Sequence, residues 1–429
     1  MSAALISPPA GPLDAVVHVP GSKSVANRAL VCAALAPPGS VSTLENVPGG
    51  DDCAAMVAAL LLCGAWEDGA VKGGVFPGSA GRFDAGLAGT TSRFLTAAAC
   101  LSPSGVTIDG GAPLRRRPMA DLHDALVRLG AEVSPVEGAR AGHLPVRVTR
   151  GALRGGTVQV RGDVSSQFVS ALMLLAPRLD GGLHIDIDGP LVSRPYVEMT
   201  ARVMSSFGAD VTLGEDSIDV ADSPYHPARY VVEPDFSSAA FPVMALAFRE
   251  GRVVLPGLAR ATLQGDSLVL EIATAMGMTV RTEGQDVIVS RVQGSVLRAV
   301  SFDLSDASDL VPAVAVACTN IAGTSSISGV GFIRGKESDR LGDLADELGK
   351  AGCSVAVEED GLSIAGVEGG PPCDRPLATH HDHRLAMAFA LLALGRGGCT
   401  VDDPGVVSKS WPDYFSDMSG VLGAVSGLN

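Results

Sequence analysis

The chain has 429 residues, 46% hydrophobic and 18% charged, with 32 Lys+Arg against 47 Asp+Glu for a formal charge of −15. That length calls for two or three domains with large cores and excludes disorder, while the acidic balance and an aromatic content of 4% argue against nucleic acid as the partner. No basic leader opens the chain, no uncharged apolar run reaches membrane-spanning length and none of the eight cysteines forms a C-x-x-C pair, so a reduced, soluble, cytoplasmic protein without structural zinc or a membrane partner is expected.

Two patterns recur along the chain. The first is a small polar or acidic residue opening an Ala-rich apolar stretch, at Ser24, Thr91, Ser165, Ser237, Ser308 and Asp382, 67 to 74 residues apart. The second is an amphipathic stretch ending at glycine, at Gly64, Gly130, Gly208, Gly277, Gly352 and Gly423, 66 to 78 residues apart. Two signals sharing one period define six repeat units. Each holds one helix apolar nearly all round, which has to be buried on every side, and one amphipathic helix. In the second unit Met119, Leu122, Leu126 and Leu129 recur at helical spacing, with Pro118 placed at the first helical position and Gly130 as the C-cap. Short β-rich runs, 131–133, 157–160, 184–187 and 287–289, fill the gaps. The class is α/β, with sheets wrapped around buried helices.

The buried helices all begin with polar or charged residues. Each start reads either as a helix cap or as an anion site, because a helix N-terminus presents free N–H groups and partial positive charge. Cations gather at these turns in an otherwise acidic chain. Lys23 and Ser24 open the first helix with Arg28 one turn in, and Arg93 sits at the second. Arg115-Arg116-Arg117 precedes an amphipathic stretch, where three cations oppose the helix dipole and call for a compensating anion. Lys336 and Arg340 stand four apart and would repel one another on a helix face, unless an anion binds there or Glu337 and Asp339 pair with them. The run 380–384, with three histidines around Asp382 and then Arg384, lacks metal-binding spacing and suits a cationic or proton-transfer role. Neither a P-loop nor a G-x-S-x-G elbow is present.

The segments PGSKSVANRAL, LAGTTSRFLTAAA, RRRPMADLHDAL, GDVSSQFVSALM, SRPYVEMT, GKESDRL, DHRLAMAFA and SKSWPDYF, in this order between Pro20 and Phe415, resemble the enolpyruvyltransferase family. The resemblance implies a two-domain inside-out α/β barrel, three units per domain. Residues 21–234 would form the shikimate 3-phosphate side, and 1–20 with 235–429 the phosphoenolpyruvate and catalytic side, with the active site in the cleft between them. It implies transfer of the enolpyruvyl group of phosphoenolpyruvate to the 5-hydroxyl of shikimate 3-phosphate with release of phosphate, by addition and elimination, on the way to chorismate and aromatic amino acids. It implies no cofactor and no metal, two small-molecule substrates, and a monomer that the herbicide glyphosate inhibits in phosphoenolpyruvate's place.

Motif by motif, the resemblance assigns shikimate 3-phosphate to Lys23, Ser24, Arg28, Ser165, Ser166, Gln167, Ser193, Tyr196, Asp309 and Lys336. Phosphoenolpyruvate falls to Lys23, Gly89, Arg117, Gln167, Arg340, Arg384 and Lys409. Proton transfer falls to Asp309, Glu337 and His383, with Lys23 beside them. The chain departs from the family at Leu87 and Phe332, where many members carry Asn, and at Phe94, where many carry Pro. Two other readings compete: the sister enzyme acting on UDP-N-acetylglucosamine, which places a Cys on the loop that is Gly110–Arg115 here and has none, and a non-catalytic anion binder on the same fold.

Overall fold

The computed structural model describes residues 3–78 and 81–428. By internal contacts the chain divides into two compact units, Gly21–Val232 and Met1–Pro20 with Glu233–Asn429.

In the first unit the buried helices are Lys23–Ala34, Gly89–Ala99 and Ser166–Leu175. In the second they are Phe236–Ala245, Val311–Cys318 and His383–Arg396. Alanine suits these helices twice: it is the best helix former, and its small side chain lets helix axes approach closely. All eight residues of Val311–Cys318 are buried. Among the described residues, five four-stranded sheets and one of three strands lie around the helices. Their strands alternate buried and exposed positions, as in Gly156–Arg161 and Val41–Glu45, so one face covers the helices and the other meets water. Each four-stranded sheet joins one parallel pair to an antiparallel hairpin; Gly156–Arg161 runs parallel to Leu183–Asp188, which pairs antiparallel with Ser217–Val220. Six units of helix inside and sheet outside make the inside-out α/β architecture that the resemblance implies.

All six recurrent glycines have positive φ, from +69° at Gly64 to +103° at Gly277. They turn the chain out of each amphipathic segment at little steric cost. Three expectations change. The helix after the triple arginine is Ala120–Arg128, capped by Met119 at φ −135°, so Pro118 precedes it instead of opening it. The arginines end a separate short helix, Ala112–Arg115, and the anion that compensates Arg115 is the protein's own Asp109, gripped through both oxygens at 2.9 and 2.8 Å. The sixth amphipathic element is broken into two short helices, Tyr414–Asp417 and Ser419–Leu422. No helix among the described residues is long and apolar enough to cross a membrane.

His123 lies on the buried face of Ala120–Arg128, 6% exposed, and its Nε2 meets no partner among the described residues. Burial pushes its pKa down to about 4. The unfolded chain takes up the proton near pH 6.5, whereas the folded chain resists until about pH 4. This contribution is therefore complete above pH 6.5 and is lost as the pH falls towards 4, by about 3 kcal/mol in all. Urea titrations of the protein and of His123→Leu across pH 4–7 should show a shallower acid limb in the variant; parallel limbs would refute the assignment.

Candidate active site

In the Gly21–Val232 unit the predicted residues gather at the starts of the buried helices. Lys23 Nζ donates to Asp52 Oδ2 at 2.8 Å. The Asp52 carbonyl accepts from Thr91 Oγ1 at 2.7 Å, which ties the first helix start to the second. Ser165 caps the third helix, accepting from the Gln167 amide at 3.3 Å, and the Gln167 side chain donates to Thr90 Oγ1 at 3.1 Å. Ser166 is buried just behind that cap. Ser193 sits at φ +55° before the helix Arg194–Ser206, on which Tyr196 stands in the first turn.

Gly89 opens the second buried helix, and the guanidinium groups of Arg93 and Arg117 close over it. A Cβ there would lie 2.7 Å from Arg117 Nη1 and 2.9 Å from Arg93 Nη1. Arg93 Nη1 also donates to the Gly89 carbonyl at 3.0 Å.

Arg28 is placed deeper than a surface contact, at 1% exposure. It donates to Thr200 Oγ1 at 2.7 Å, the Ser24 carbonyl at 2.7 Å, Ser170 Oγ at 3.3 Å and the Tyr196 carbonyl at 3.2 Å. All four acceptors are neutral. Burial without a carboxylate among them lowers its pKa to about 10. The charge survives at neutral pH, leaving positive potential under the Ser24 and Tyr196 backbone.

In the other unit seven charged groups interlock. Asp309 lies in a tight turn, Ser308–Leu310, directly before the fifth buried helix. Its Oδ1 accepts from Lys336 Nζ and Arg340 Nη1, each at 2.9 Å, and its Oδ2 from Arg384 Nη2 at 2.8 Å. Glu337 accepts from Arg340 Nη2 at 2.8 Å and from Lys409 Nζ at 2.9 Å. Asp382 takes Arg340 Nε at 2.6 Å and caps the sixth buried helix by accepting from the Arg384 amide at 2.9 Å.

Lys336 and Arg340 do not share a helix, which begins only at Gly342. They converge on Asp309 instead, so the repulsion expected from their spacing is answered from within the chain. Glu337 pairs with Arg340 as the surface-network alternative requires, whereas Asp339 pairs with Arg334 at 3.5 Å. Four cations thus face three carboxylates.

Burial opposes the Arg340 charge, but Asp382, Glu337 and Asp309 outweigh it and raise its pKa above the usual arginine range. For Lys336 burial wins over Asp309, and its pKa is lowered. His383 is wholly buried, with its Nδ1 3.5 Å from Asp382 Oδ1.

The turn that delivers Asp382 is held from behind. His380 and His381 both have positive φ, +49° and +60°, a strained pair for residues other than glycine. His380 Nε2 lies 2.7 Å from Oε1 of the buried Glu347, whose Oε2 accepts from the Ala378 amide at 3.0 Å. Sequence reasoning missed Asp52, Asp382 and Glu347 as partners. Asp382 carried a signal, an acidic residue at a helix start between histidines and arginine; Asp52 and Glu347 sit on ordinary amphipathic helices and carried none.

The buried cations are thus held by short hydrogen bonds at the starts of helices that the sheets enclose. The fold agrees with the enolpyruvyl transferase NikO from Streptomyces tendae, at a TM-score of 0.74, 18% identity and 99% and 98% coverage of the two chains. An EPSP synthase from Acinetobacter baumannii superimposes at a TM-score of 0.81 over 99% of each chain, with 25% identity. The curated 3-phosphoshikimate 1-carboxyvinyltransferase of Methanothermobacter thermautotrophicus is 38% identical over 417 residues, 95% of this chain and 96% of that protein. One from a Shewanella species is 35% identical over 424 residues, 95% and 96% of the two. The profile of the family described as EPSP synthase (3-phosphoshikimate 1-carboxyvinyltransferase) matches residues 8–418, and the chain belongs to that family.

Proposed function

We propose that this protein transfers the enolpyruvyl group of phosphoenolpyruvate to the 5-hydroxyl of shikimate 3-phosphate, releasing phosphate. The convergence of Lys336, Arg340 and Arg384 on Asp309, in a chain of this family, carries the reading. Simple anion binding would not favour carboxylates among the cations, whereas proton transfer requires them.

Both substrates bear phosphate and carboxylate groups, and each cluster offers them cations. Shikimate 3-phosphate would take Lys23 with the helix starts at Ser24 and Ser165, supported by Ser166, Gln167, Ser193, Tyr196 and the buried charge of Arg28. Phosphoenolpyruvate would take Arg340, Arg384 and Lys409; in the other unit the family resemblance assigns it Lys23, Arg117, Gln167 and the Gly89 turn. Arginine suits carboxylate and phosphate because its planar fork donates two parallel bonds; lysine supplies a point charge.

Asp309 accepts the proton of the attacking hydroxyl. In the free protein three cations hold its carboxylate. Substrate anions compete for the same N–H groups, and each cation they draw off leaves Asp309 a better base. Glu337 exchanges a proton at the methylene carbon of phosphoenolpyruvate, with Lys409 and Arg340 fixing its two oxygens. The adduct then expels phosphate, whose charge the arginines stabilise as it develops.

Phosphate release is the test. It should require both substrates together. Release with UDP-N-acetylglucosamine in place of shikimate 3-phosphate would assign the sister activity, and binding without release would leave only an anion binder.

Gly89→Ala should raise the KM for phosphoenolpyruvate several-fold more than that for shikimate 3-phosphate, and weaken glyphosate inhibition further still. The added methyl would displace the guanidinium groups of Arg117 and Arg93 from the turn. Equal changes in both KM values with a lowered Tm would mean that Gly89 serves only the backbone.

A further inference from the structure

Away from these clusters, three cysteines and an arginine meet beside the strand Cys399–Asp402. Cys399 Sγ lies 3.5 Å from Cys373 Sγ, sulfur against sulfur with no bond between them. Arg396 Nη2 donates to Cys353 Sγ at 3.0 Å, and Arg396 Nη1 donates to the Pro371 carbonyl at 2.9 Å, two residues before Cys373. The segment bearing Cys373 is docked on the strand bearing Cys399: the Leu377 amide donates to the Thr400 carbonyl, and the Asp402 amide to the Leu377 carbonyl, both at 2.9 Å. Cys399 is 1% exposed, whereas Cys373 is half-buried and open to a small solute.

We propose that Cys373 and Cys399 form a hydroperoxide-sensitive dithiol, with Cys373 the attacked group and Cys399 the resolving one. Nothing in the transferase reaction uses them. Cys399 donates its S–H to Cys373, and Arg396 adds positive potential, which holds the Cys373 thiol below its usual range while Cys399 is pushed up.

The Cys373 thiolate attacks one oxygen of hydrogen peroxide. The O–O bond breaks, an S–O bond forms, and the departing hydroxide takes a proton to leave as water. Cys399 then attacks the Cys373 sulfenic sulfur. The S–S bond forms and the S–O bond breaks, and the hydroxide leaves with the Cys399 proton as a second water. The two thiols lose two electrons and the peroxide gains them. A dithiol reductant reverses the step by exchange. The bond would close a 26-residue interval that contains the Asp382 turn and the whole sixth buried helix.

The test is thiol mapping on the full-length reduced protein, exposed to a small excess of hydrogen peroxide, alkylated, digested and weighed. Two of the eight thiols should disappear together, a linked Cys373–Cys399 peptide about 2 Da lighter than the reduced pair should appear, and dithiothreitol should restore both. The half-buried Cys63 is the internal control, since burial raises its pKa to about 11. At pH 7 Cys373 should alkylate at least about tenfold faster than Cys63.

In Cys399→Ser the Cys373 sulfenic acid should persist and be trapped by dimedone. In Cys373→Ser, a change at the partly exposed position, the link should vanish and Cys399 should stay reduced. Eight surviving thiols, a link from Cys373 to Cys353 instead, or a Cys399 that oxidises unaided in Cys373→Ser would each overturn the proposal.

Discussion

Replacing Asp309 with Asn should lower turnover by about 10²–10⁴-fold while leaving shikimate 3-phosphate bound nearly as before. The substitution keeps the shape of the side chain and removes its charge and its basicity. Lys336, Arg340 and Arg384 lose a shared partner, but Arg340 keeps Glu337 and Asp382, and Arg384 keeps Ser237 Oγ at 3.1 Å. The cations therefore stay close to their places and remain available to substrate anions.

If Asp309 is the base, kcat and kcat/KM should fall together, because the lost interaction is with a proton in flight. If Asp309 only positions the three cations, KM for phosphoenolpyruvate should rise and kcat should hold. Calorimetry with shikimate 3-phosphate and steady-state kinetics with both substrates separate the two, and near-normal turnover would sink the assignment.

The six-fold repeat was legible because burial leaves a compositional mark. A helix enclosed by sheets must be apolar on every side, and an Ala-rich run such as 385–394, with no polar residue in ten, is too short to span a membrane. The glycines were legible for a different reason: each ends an amphipathic stretch where the backbone turns left-handed. Cation clusters were legible because they stand out in an acidic chain.

The partners of those cations were not. Asp52 lies 29 residues from Lys23, Asp382 lies 42 from Arg340 and Asp309 lies 75 from Arg384. Pairing over such intervals is decided by the packing of whole units, and one acidic residue among 47 carries no local sign of it. Spacing alone could not say whether the segment is helical. Lys336 and Arg340 are four apart, yet a tight turn, Gly331–Gly335, and an irregular stretch hold them. Their common focus on Asp309 comes from chain reversal and owes nothing to helical periodicity. His383, read beside its neighbours as a reacting group, is the first residue of an enclosed helix and is fully buried.

Asp382→Ala should destabilise the Glu233–Asn429 part of the protein more than any other single change in the cluster, by about 3–5 kcal/mol. Asp382 and Arg340 are 0% and 1% exposed, so neither recovers hydration when the other is removed. The alanine variant leaves Arg340 Nε in the interior without its closest acceptor. It also uncaps the sixth buried helix, where loss of an Asp cap costs about 1 kcal/mol on its own. The left-handed pair His380–His381 then loses the anchor on one side and keeps Glu347, Asp343 and Asp403 on the other. Asp382→Asn should cost less, because its one amide oxygen still caps the helix in place of Oδ1, although it no longer offsets the charge and its NH2 now faces the Arg340 Nε donor. Urea unfolding of the two variants at neutral pH should therefore rank alanine well below asparagine. Equal losses would mean that charge alone matters at this position, and no loss in either would mean that the Arg340 charge is already balanced by Glu337 and Asp309.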